Sequence, residues 1–261
     1  MELKNHFVKL ELQEKVAVVT LDHPPVNSLS PAVVDELDAV LRHLEAKDEI
    51  LAVVVTGAGP KIFVAGADIK AMSGMTPAEA EKLAETGQRA LNRLADMKKL
   101  TICAINGLAL GGGLELAMAC DLRLCAEHAK MGQPEINLGI IPGFGGTQRL
   151  PRIIGSARAL EMLLSGDPID AATAFAWGLV NHVTPAEELL PKALGLAKNV
   201  ATKAPVASRL IHDSVAEGLT KTINQGLRLE IQNFHKVFAT EDKSEGISAF
   251  IEKRAANWKG C

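Results

Sequence analysis

Residues 105–150 read INGLALGGGLELAMACDLRLCAEHAKMGQPEINLGIIPGFGGTQRL, and this stretch decides how the whole chain is interpreted. Its glycine triplet, residues 111–113, follows the strand-like run LTICAI and precedes the helix-like run LELAMAC. Glycine permits positive φ and a close approach of a ligand to the backbone, and the first amides of a helix have no partners within the helix. The triplet is therefore a candidate site for an anion or for an oxygen that develops negative charge. A glycine-rich turn that only packs tightly is the simpler alternative, because glycine motifs alone are weak indicators of function.

A second stretch, residues 62–72, reads IFVAGADIKAM and predicts another loop that a ligand can approach. The small residues Ala65 and Ala67 leave the backbone accessible, so this loop is a candidate source of a second free amide. Asp68 is explained more simply as the N-cap of a following helix or as a structural ion-pair partner.

Two glutamates of the first stretch lie in apolar surroundings. Glu115 comes two residues after the triplet, and Glu135 lies between Pro134 and Ile136. A buried acid needs a partner or a shifted pKa. Two acids that face one cavity tend to differ in protonation, which suits general acid and general base catalysis at neutral pH. Each glutamate taken alone is more often structural, because ion-pair networks also shift pKa values.

The first stretch ends in IPGFGGTQR, residues 141–149, whose glycines predict a tight, ligand-facing loop that leads into a helix. Arg149 follows this loop, and it is able either to pair with a buried acid or to bind a phosphate. Structural pairing is the simpler of these two interpretations.

Strand and helix patterns alternate through most of the remaining chain. The runs VKLEL and VAVVTL within residues 8–21 predict a hairpin that leads into a buried strand, and LAVVVTG at 51–57 predicts another buried strand. Ser30 before Pro31 predicts a helix start. The tetrapeptide TPAE, at residues 76–79 and again at 184–187, predicts two helices that begin with a capping box.

Only helical patterns follow residue 185, and the composition changes near residues 201–205. These observations predict an α/β protein. Residues 1–200 would form the core that carries the candidate site, and residues 201–261 would form a helical region.

The composition excludes several classes of protein. Hydrophobic residues make up 48% of the 261 residues and the net charge is only −3, which excludes a disordered chain. The chain has no long run of lysine and arginine and only seven Phe, two Trp and no Tyr, so no nucleic-acid partner is expected. No apolar run is long enough for a membrane span, and no metal-ligand spacing is present, so neither a membrane nor a metal is expected. The four cysteines lack C-x-x-C spacing and the N-terminus lacks a signal-peptide pattern, which favours free thiols and a cytoplasmic location.

Taken together, these motifs resemble the crotonase superfamily and, within it, the enoyl-CoA hydratases. The resemblance implies a crotonase-like spiral of repeated β-β-α units, with a C-terminal helical region that builds homotrimers, usually stacked in pairs into a homohexamer. The segments that carry it occur in the family's order: HPPVNSLS at 23–30, AGADIK at 65–70, NGLALGGGLELAMACD at 106–121, GQPEINLGIIPGFGGTQRLPR at 132–152 and FIEKRAANWKG at 250–260.

The resemblance also implies a reaction and assigns residues to it. The substrate is an acyl thioester of coenzyme A, and the amides of Ala67 and Gly112 form the oxyanion hole that binds the thioester oxygen. Glu115 acts mainly as the base toward the water that adds to C3, and Glu135 acts mainly as the acid that protonates C2. The product of a trans-2-enoyl-CoA is then a (3S)-3-hydroxyacyl-CoA, as in fatty-acid β-oxidation.

Further substrate contacts follow from the same resemblance. The family places substrate-binding positions at Ala65, Asp68 and Ile69, a contact to the coenzyme A nucleotide at Lys70, and a site-positioning amide at Gly143. Lysines near the C-terminus of a neighbouring subunit, Lys253 or Lys259, are candidate phosphate contacts. Coenzyme A is part of the substrate, so no separate cofactor is expected. Departures from the family pattern at Asn27–Ser28, Ala71 and Leu114 bear on acyl-chain preference rather than on reaction type.

Three other functions remain as alternatives. Another crotonase reaction, such as Δ3-Δ2 enoyl-CoA isomerisation, would use the same site. RNA binding, reported for one branch of the family, needs a basic helix face, but the candidate helix at residues 77–99 carries both signs of charge. A Ser–His–Asp hydrolase is disfavoured because the chain has no G-x-S-x-G motif.

Overall fold

Two β-sheets form the centre of the molecule, for which a computed structural model describes residues 6–261. The six-stranded sheet contains, in spatial order, Val8–Gln13 (β1), Val16–Leu21 (β2), Ala52–Gly57 (β3), Leu100–Ile105 (β5), Leu122–Ala126 (β7) and His182–Thr184 (β10). The four-stranded sheet contains Ile62–Ala65 (β4), Leu108–Leu110 (β6), Lys130–Gly132 (β8) and Ile169–Asp170 (β9). The β1–β2 hairpin is antiparallel as predicted, β8 and β9 are also antiparallel, and the other strand pairs are parallel.

Helices connect and cover the strands, which gives the α/β class that the sequence predicts. The described helices are Pro31–Glu45 (α1), Ile69–Met72 (α2), Pro77–Ala95 (α3), Gly112–Ala119 (α4), Gly146–Ile154 (α5), Ser156–Ser165 (α6), Ala171–Ala176 (α7), Ala186–Ala201 (α8), Pro205–Gly218 (α9), Ile223–Phe238 (α10) and Glu241–Glu252 (α11).

The central strands of the six-stranded sheet are buried on both faces, which explains why they are almost entirely apolar. Successive side chains of a strand point to opposite faces. Val54 and Ile102 face α8, whose buried side chains include Ala193. Their neighbours Val53 and Cys103 belong to the larger core beneath the helices on the other face. Helices on both sides of the sheet therefore fix its register.

Of the three helix starts predicted from capping residues, those of α1 and α3 are confirmed. Ser30 accepts a hydrogen bond from the Val33 amide at the start of α1, and Thr76 forms a capping box with Glu79 at the start of α3. The capping box predicted at Thr184 is wrong. Thr184 is the last residue of β10 and pairs with β7, so strand pairing holds it in an extended conformation with its buried hydroxyl unpartnered.

The last three helices, α9 to α11, pack on the core through few contacts and expose many apolar side chains. Two polar links join α9 to the core: His212 lies 3.0 Å from Asp121, and Lys98 lies 2.7 Å from Asp213. None of the described helices combines the length and apolar character needed to span a membrane. Cys103, Cys120 and Cys125 are buried free thiols, as the sequence predicts, and Cys261 is an exposed one.

Candidate active site

The glycine triplet forms the turn between β6 and α4. Gly111 has φ +51°, a conformation that favours glycine, and Gly112 is the first residue of α4. Within the described residues, the Gly112 amide donates no hydrogen bond. This amide therefore lies at the positive end of the helix dipole and is free to bind a ligand oxygen.

A second free amide lies beside the first. Gly66, with φ +90°, turns the chain after β4, and its carbonyl accepts a 2.9 Å hydrogen bond from the Leu29 amide. The next amide, that of Ala67, has no hydrogen-bond acceptor in the described part of the chain. A Cβ atom on Gly112 would lie only 3.6 Å from the Ala67 nitrogen. The two segments predicted to supply amides are thus in contact, an arrangement suited to binding one carbonyl oxygen.

Glu115 lies in the first turn of α4 and is only 2% exposed. Its Oε1 atom accepts hydrogen bonds from the Phe144 amide at 2.8 Å and the Gly146 amide at 2.6 Å. In the described structure its Oε2 atom accepts none, so the two carboxylate oxygens have different roles. The loop at residues 141–149 is the origin of both donors, which explains why the sequence needs a tight glycine-rich loop at this position.

Burial raises the pKa of Glu115 to about 7. The hydrogen bond from Gly146 opposes this rise, the negative charge of Glu135 adds to it, and the Phe144 amide and the Arg149 charge oppose it. A carboxyl group with a pKa near neutrality can both accept and release a proton under physiological conditions.

Glu135 lies in a short 3₁₀ helix, Pro134–Leu138, that follows β8. It is half-buried, and burial raises its pKa, partly opposed by a hydrogen bond from its own backbone. With the amide of Gln133 oriented so that its nitrogen faces the carboxylate, the orientation that satisfies both groups, it donates to both carboxylate oxygens, at 3.0 and 2.9 Å. A Cβ atom on Gly111 would lie 2.8 Å from Oε1 of Glu135, so this glutamate packs directly against the glycine turn. The two glutamates therefore belong to one site, and their charges interact.

The other predicted site residues lie around this centre. Ala65 ends β4, and Asp68 caps α2 by accepting hydrogen bonds from the amides of Lys70 and Ala71, the structural role that the sequence favoured. Ile69 and Lys70 are exposed. The Gly143 carbonyl accepts a 2.9 Å hydrogen bond from the side chain of Gln88 on α3.

Several contributors to the site have no signal in the sequence alone. Gln133, which donates to Glu135, and the amides of Phe144 and Gly146, which donate to Glu115, depend on loop conformations. Arg149 forms no ion pair within the described residues; it donates instead to the Phe144 carbonyl and to Asn92. The predicted structural pairing of Arg149 with a buried acid is therefore wrong, because its partners are a backbone carbonyl and a side-chain amide oxygen. Across residues 6–261, no three His, Cys, Asp or Glu side chains are grouped so as to hold a metal ion.

Comparison with known proteins finds similarity over nearly the whole chain. A family model described as enoyl-CoA hydratase/isomerase matches residues 11–261. A short-chain-enoyl-CoA hydratase of Clostridium acetobutylicum is 44% identical over 255 residues, which is 97% of each chain. A crotonyl-CoA hydratase of Syntrophomonas wolfei is 42% identical and covers 95% of this chain and 96% of its own. The crystal structure of an enoyl-CoA hydratase from Bacillus anthracis has a TM-score of 0.95 at 38% identity, covering 98% of this chain and 100% of its own.

Proposed function

We propose that this chain, which belongs to the enoyl-CoA hydratase/isomerase family, adds water to short-chain trans-2-enoyl thioesters of coenzyme A. It is an enoyl-CoA hydratase, a hydro-lyase with the crotonase fold. One observation carries this proposal: two unpaired backbone amides, of Ala67 and Gly112, lie in one site with the glutamates Glu115 and Glu135. The short chain length is supported by the names of the two relatives.

The two amides would form the oxyanion hole. The thioester carbonyl oxygen binds between the Ala67 and Gly112 amides, and it gains negative charge when water adds to C3 and an enolate forms. Donors that are already in position stabilise this charge without reorganisation, and removal of one such donor typically costs about 3 kcal/mol of transition-state stabilisation. The position of Gly112 at the start of α4 adds the favourable field of the helix dipole.

The two glutamates would move the protons. Both hold the attacking water, and Oε2 of Glu115, which accepts no hydrogen bond from residues 6–261, takes a proton from it as the water oxygen bonds to C3. Glu135 delivers a proton to C2, so one molecule of water is added in total. Both pKa values are raised by burial and the charges interact, so ionisation of one glutamate disfavours ionisation of the other. Syn addition would give the (3S)-3-hydroxyacyl-CoA, a step of fatty-acid β-oxidation.

Substrate binding needs no cofactor besides the coenzyme A that the substrate carries. Ala65, Ile69 and the backbone around Asp68 would line the acyl-pantetheine path, and exposed Lys70 would contact the nucleotide part. The Gly143 amide would help to position the site. Lys259 is engaged with Glu241 of its own chain, whereas Lys253 is exposed at the end of α11, which makes Lys253 the better candidate for a phosphate contact in a neighbouring subunit.

We infer a homotrimer, with a hexamer of two stacked trimers as the larger form. The support is the apolar surface of α9 to α11, where Leu219 is 84% and Phe250 is 85% exposed in the single chain. Residues 1–200 would then form the catalytic core and residues 201–261 the oligomerisation region. A cytoplasmic location accords with the free thiols.

The direct test is the loss of enoyl absorbance when the purified protein is mixed with crotonyl-CoA, followed by longer trans-2-enoyl thioesters and by chiral analysis of the product. We expect the fastest turnover with short chains and an S-configured product. A 3-enoyl thioester in a parallel reaction measures isomerisation. Conversion of that substrate without hydration of any 2-enoyl thioester would identify the protein as an isomerase and contradict the proposal.

RNA binding has no comparable support. On α3, Arg93 forms ion pairs with Asp38 and Glu45, and Lys98, just beyond the helix, pairs with Asp213. These charges are already matched within the protein and are not available to a phosphate backbone. No RNA mobility shift is expected at micromolar protein.

A further inference from the structure

The loop that holds Glu115 is itself held by Arg149, a residue that the proposed reaction does not use. Arg149 lies in the first turn of α5, and its partly buried guanidinium turns back over the loop. Its Nη1 donates to the Phe144 carbonyl at 2.9 Å, and its Nη2 donates to Oδ1 of Asn92 on α3 at 2.7 Å. Phe144 is thus fixed on both sides, because its N–H donates to Glu115 and its carbonyl accepts from Arg149.

The backbone makes room for this contact. Gly145 has φ +109°, and a Cβ atom there would lie 2.3 Å from Nη1 of Arg149. Only glycine satisfies both the conformation and the space. The absence of a side chain at position 145 therefore allows the guanidinium to lie against the loop.

Helix α3 supports the same loop from outside. Gln88 donates to the Gly143 carbonyl, and one residue earlier a Cβ atom on Gly87 would lie 2.3 Å from the Phe144 ring, so the ring packs directly on the helix backbone. Asn92, one turn further along α3, binds Arg149. The outer side of the loop is thus anchored on α3, while its inner amides face Glu115.

We propose that Arg149 is a positioning residue for the hydration reaction: it keeps the amides of Phe144 and Gly146 on Oε1 of Glu115 and places a fixed positive charge near that carboxylate. The inference rests on the proposed function, because it assumes that Glu115 is the base. Arg149 acts through Glu115 and the loop, and it does not contact the substrate.

The charges around Glu115 and Arg149 determine the direction in which loss of Arg149 shifts the pKa of Glu115. Glu115 is faced by Glu135, whose charge raises its pKa, and by Arg149 and the two loop amides, which lower it against the effect of burial. Arg149 is faced by Glu115 and by Asp96, which follows α3, and burial lowers its own pKa, although a guanidinium stays charged at neutral pH. Removal of the positive charge therefore raises the pKa of Glu115, and a higher pH is needed to ionise the base.

The experiment compares Arg149→Gln, Arg149→Lys and the control Arg152→Gln in full pH profiles of crotonyl-CoA hydration. Arg152 is exposed on the same helix and donates to the Gln148 carbonyl one turn back in α5, and not to the Phe144 carbonyl. For Arg149→Gln we expect kcat/KM at pH 7 to fall about tenfold or more, with KM within about threefold of wild type. The acidic limb of its profile should move upward by at least about half a pH unit. Arg149→Lys should have a lower kcat but the same acidic limb of the pH profile as wild type. Lysine retains the positive charge but cannot make both hydrogen bonds of the guanidinium.

An equal loss of activity by Arg149→Gln at every pH, or an unchanged profile, would overturn the proposal. A second measurement does not depend on turnover: a ¹³C NMR titration of carboxyl-labelled glutamates in the ligand-free protein, with Glu115→Gln used for assignment. The titration midpoint of Glu115 should be higher in Arg149→Gln than in wild type and unchanged in Arg152→Gln. If wild type hydrates no enoyl thioester, the proposed function fails on its own, whereas an unmoved midpoint refutes the role of Arg149 in either case.

Discussion

At the scale of single residues, the two oxygens of Glu115 differ in a way that supports its proposed role as the base. Two amide donors occupy Oε1, so a proton on that atom would have to displace them. The atom Oε2 is free of such donors and is the one able to take a proton from water. A carboxylate anchored on one side and reactive on the other keeps its orientation through the catalytic cycle.

Replacement of Glu115 by Gln tests this asymmetry directly. The glutamine carbonyl can still accept both loop amides, while its NH₂ group replaces the reactive oxygen, so the fold should be retained and the base lost. We expect kcat for crotonyl-CoA to fall by about 10²–10⁴-fold, and a similar fall for Glu135→Gln. Glu81→Gln, at an exposed position on α3, is the matched control and should keep wild-type activity. A loss below about tenfold in both active-site variants would contradict their assigned roles.

The sequence indicates the proposed reacting groups better than it indicates the residues that support them. Glu115 and Glu135 stand out because charged residues in apolar motifs are rarely solvated. The sequence does not distinguish Gln133 from a surface residue, and it indicates Arg149 only as a partner for a buried acid or a phosphate. Their importance arises from hydrogen bonds to segments that only the folded loop brings near, such as the bond from Arg149 to the Phe144 carbonyl.

At the scale of elements, the position of α4 decides the geometry of the site, because this helix carries both Gly112 and Glu115. The helix lies so close to β4 that a Cβ atom on Gly113 would be 2.1 Å from the Val64 carbonyl oxygen. The three nearest atoms all belong to Val64, and the nearest is a backbone oxygen of a paired strand, so no flexible side chain could move away to make room. The third glycine of the triplet is therefore required for packing, the simpler explanation that the sequence left open, while the second presents a free amide.

Gly113→Ala should push α4 away from β4. We expect it to lower the free energy of unfolding by about 1–3 kcal/mol, as overpacking of a tight core does, and to reduce hydratase activity in the protein that remains folded. Gly195→Ala is the matched control, because Gly195 is exposed in α8 with no atom within 4 Å of its missing Cβ. This control should gain about 0.4–1 kcal/mol. Urea unfolding measures both, and equal stability of the two variants would refute the close packing of α4.

The contact between His212 and Asp121 predicts that the docking of α9 on the core depends on pH. The hydrogen bond to Asp121 raises the pKa of His212 above its ordinary value; burial and Lys98 oppose the rise, and Asp213 adds to it. A raised folded-state pKa means that the folded protein binds the proton more tightly than the unfolded chain. The stabilisation is therefore complete below about pH 6.5, the unfolded value, and is lost as the pH rises through the higher folded-state pKa.

His212→Gln removes this pH-dependent contribution. The difference in unfolding free energy between wild type and His212→Gln should be larger at pH 5.5 than at pH 8.5, measured by urea unfolding at one protein concentration, because association would otherwise change the result. His235→Gln, at an exposed position on α10, controls for the loss of any histidine. A difference that grows toward high pH would have the wrong sign and would exclude the link between His212 and Asp121.

Elements are predictable from the sequence where they are long and periodic. The apolar run of β3 and the capped starts of α1 and α3 agree with the structure because local and tertiary preferences coincide there. The strands β6, β8 and β9 have only two or three residues, too few for a period-2 pattern to be recognised. At Thr184 the local capping signal competes with parallel pairing to β7, and the pairing prevails.

At the scale of the whole molecule, α10 carries an exposed apolar stripe at helical spacing, formed by Leu227, Ile231, Phe234 and Phe238, which are 50–68% exposed. A contiguous apolar surface of this kind is unfavourable in water and indicates a buried interface in an assembly. A trimer built through these helices would also fix the C-terminal segment that is proposed to reach a neighbouring active site.

Ile231→Asp places a charge in the middle of this stripe and should weaken the assembly, because burial of an unpaired carboxylate is strongly unfavourable. Wild type should have a mass in solution of three or six times the 27.7 kDa of one chain, measured by sedimentation or light scattering. The variant should shift toward the mass of one chain, more so on dilution. Gln232→Asp adds the same charge one residue away, at an exposed position off the stripe, and should leave the mass unchanged. If Ile231→Asp keeps the full mass, or if wild type is a monomer at all concentrations, the α10 stripe is not the surface that joins the subunits, and any contribution of Lys253 to a neighbouring site loses its structural basis.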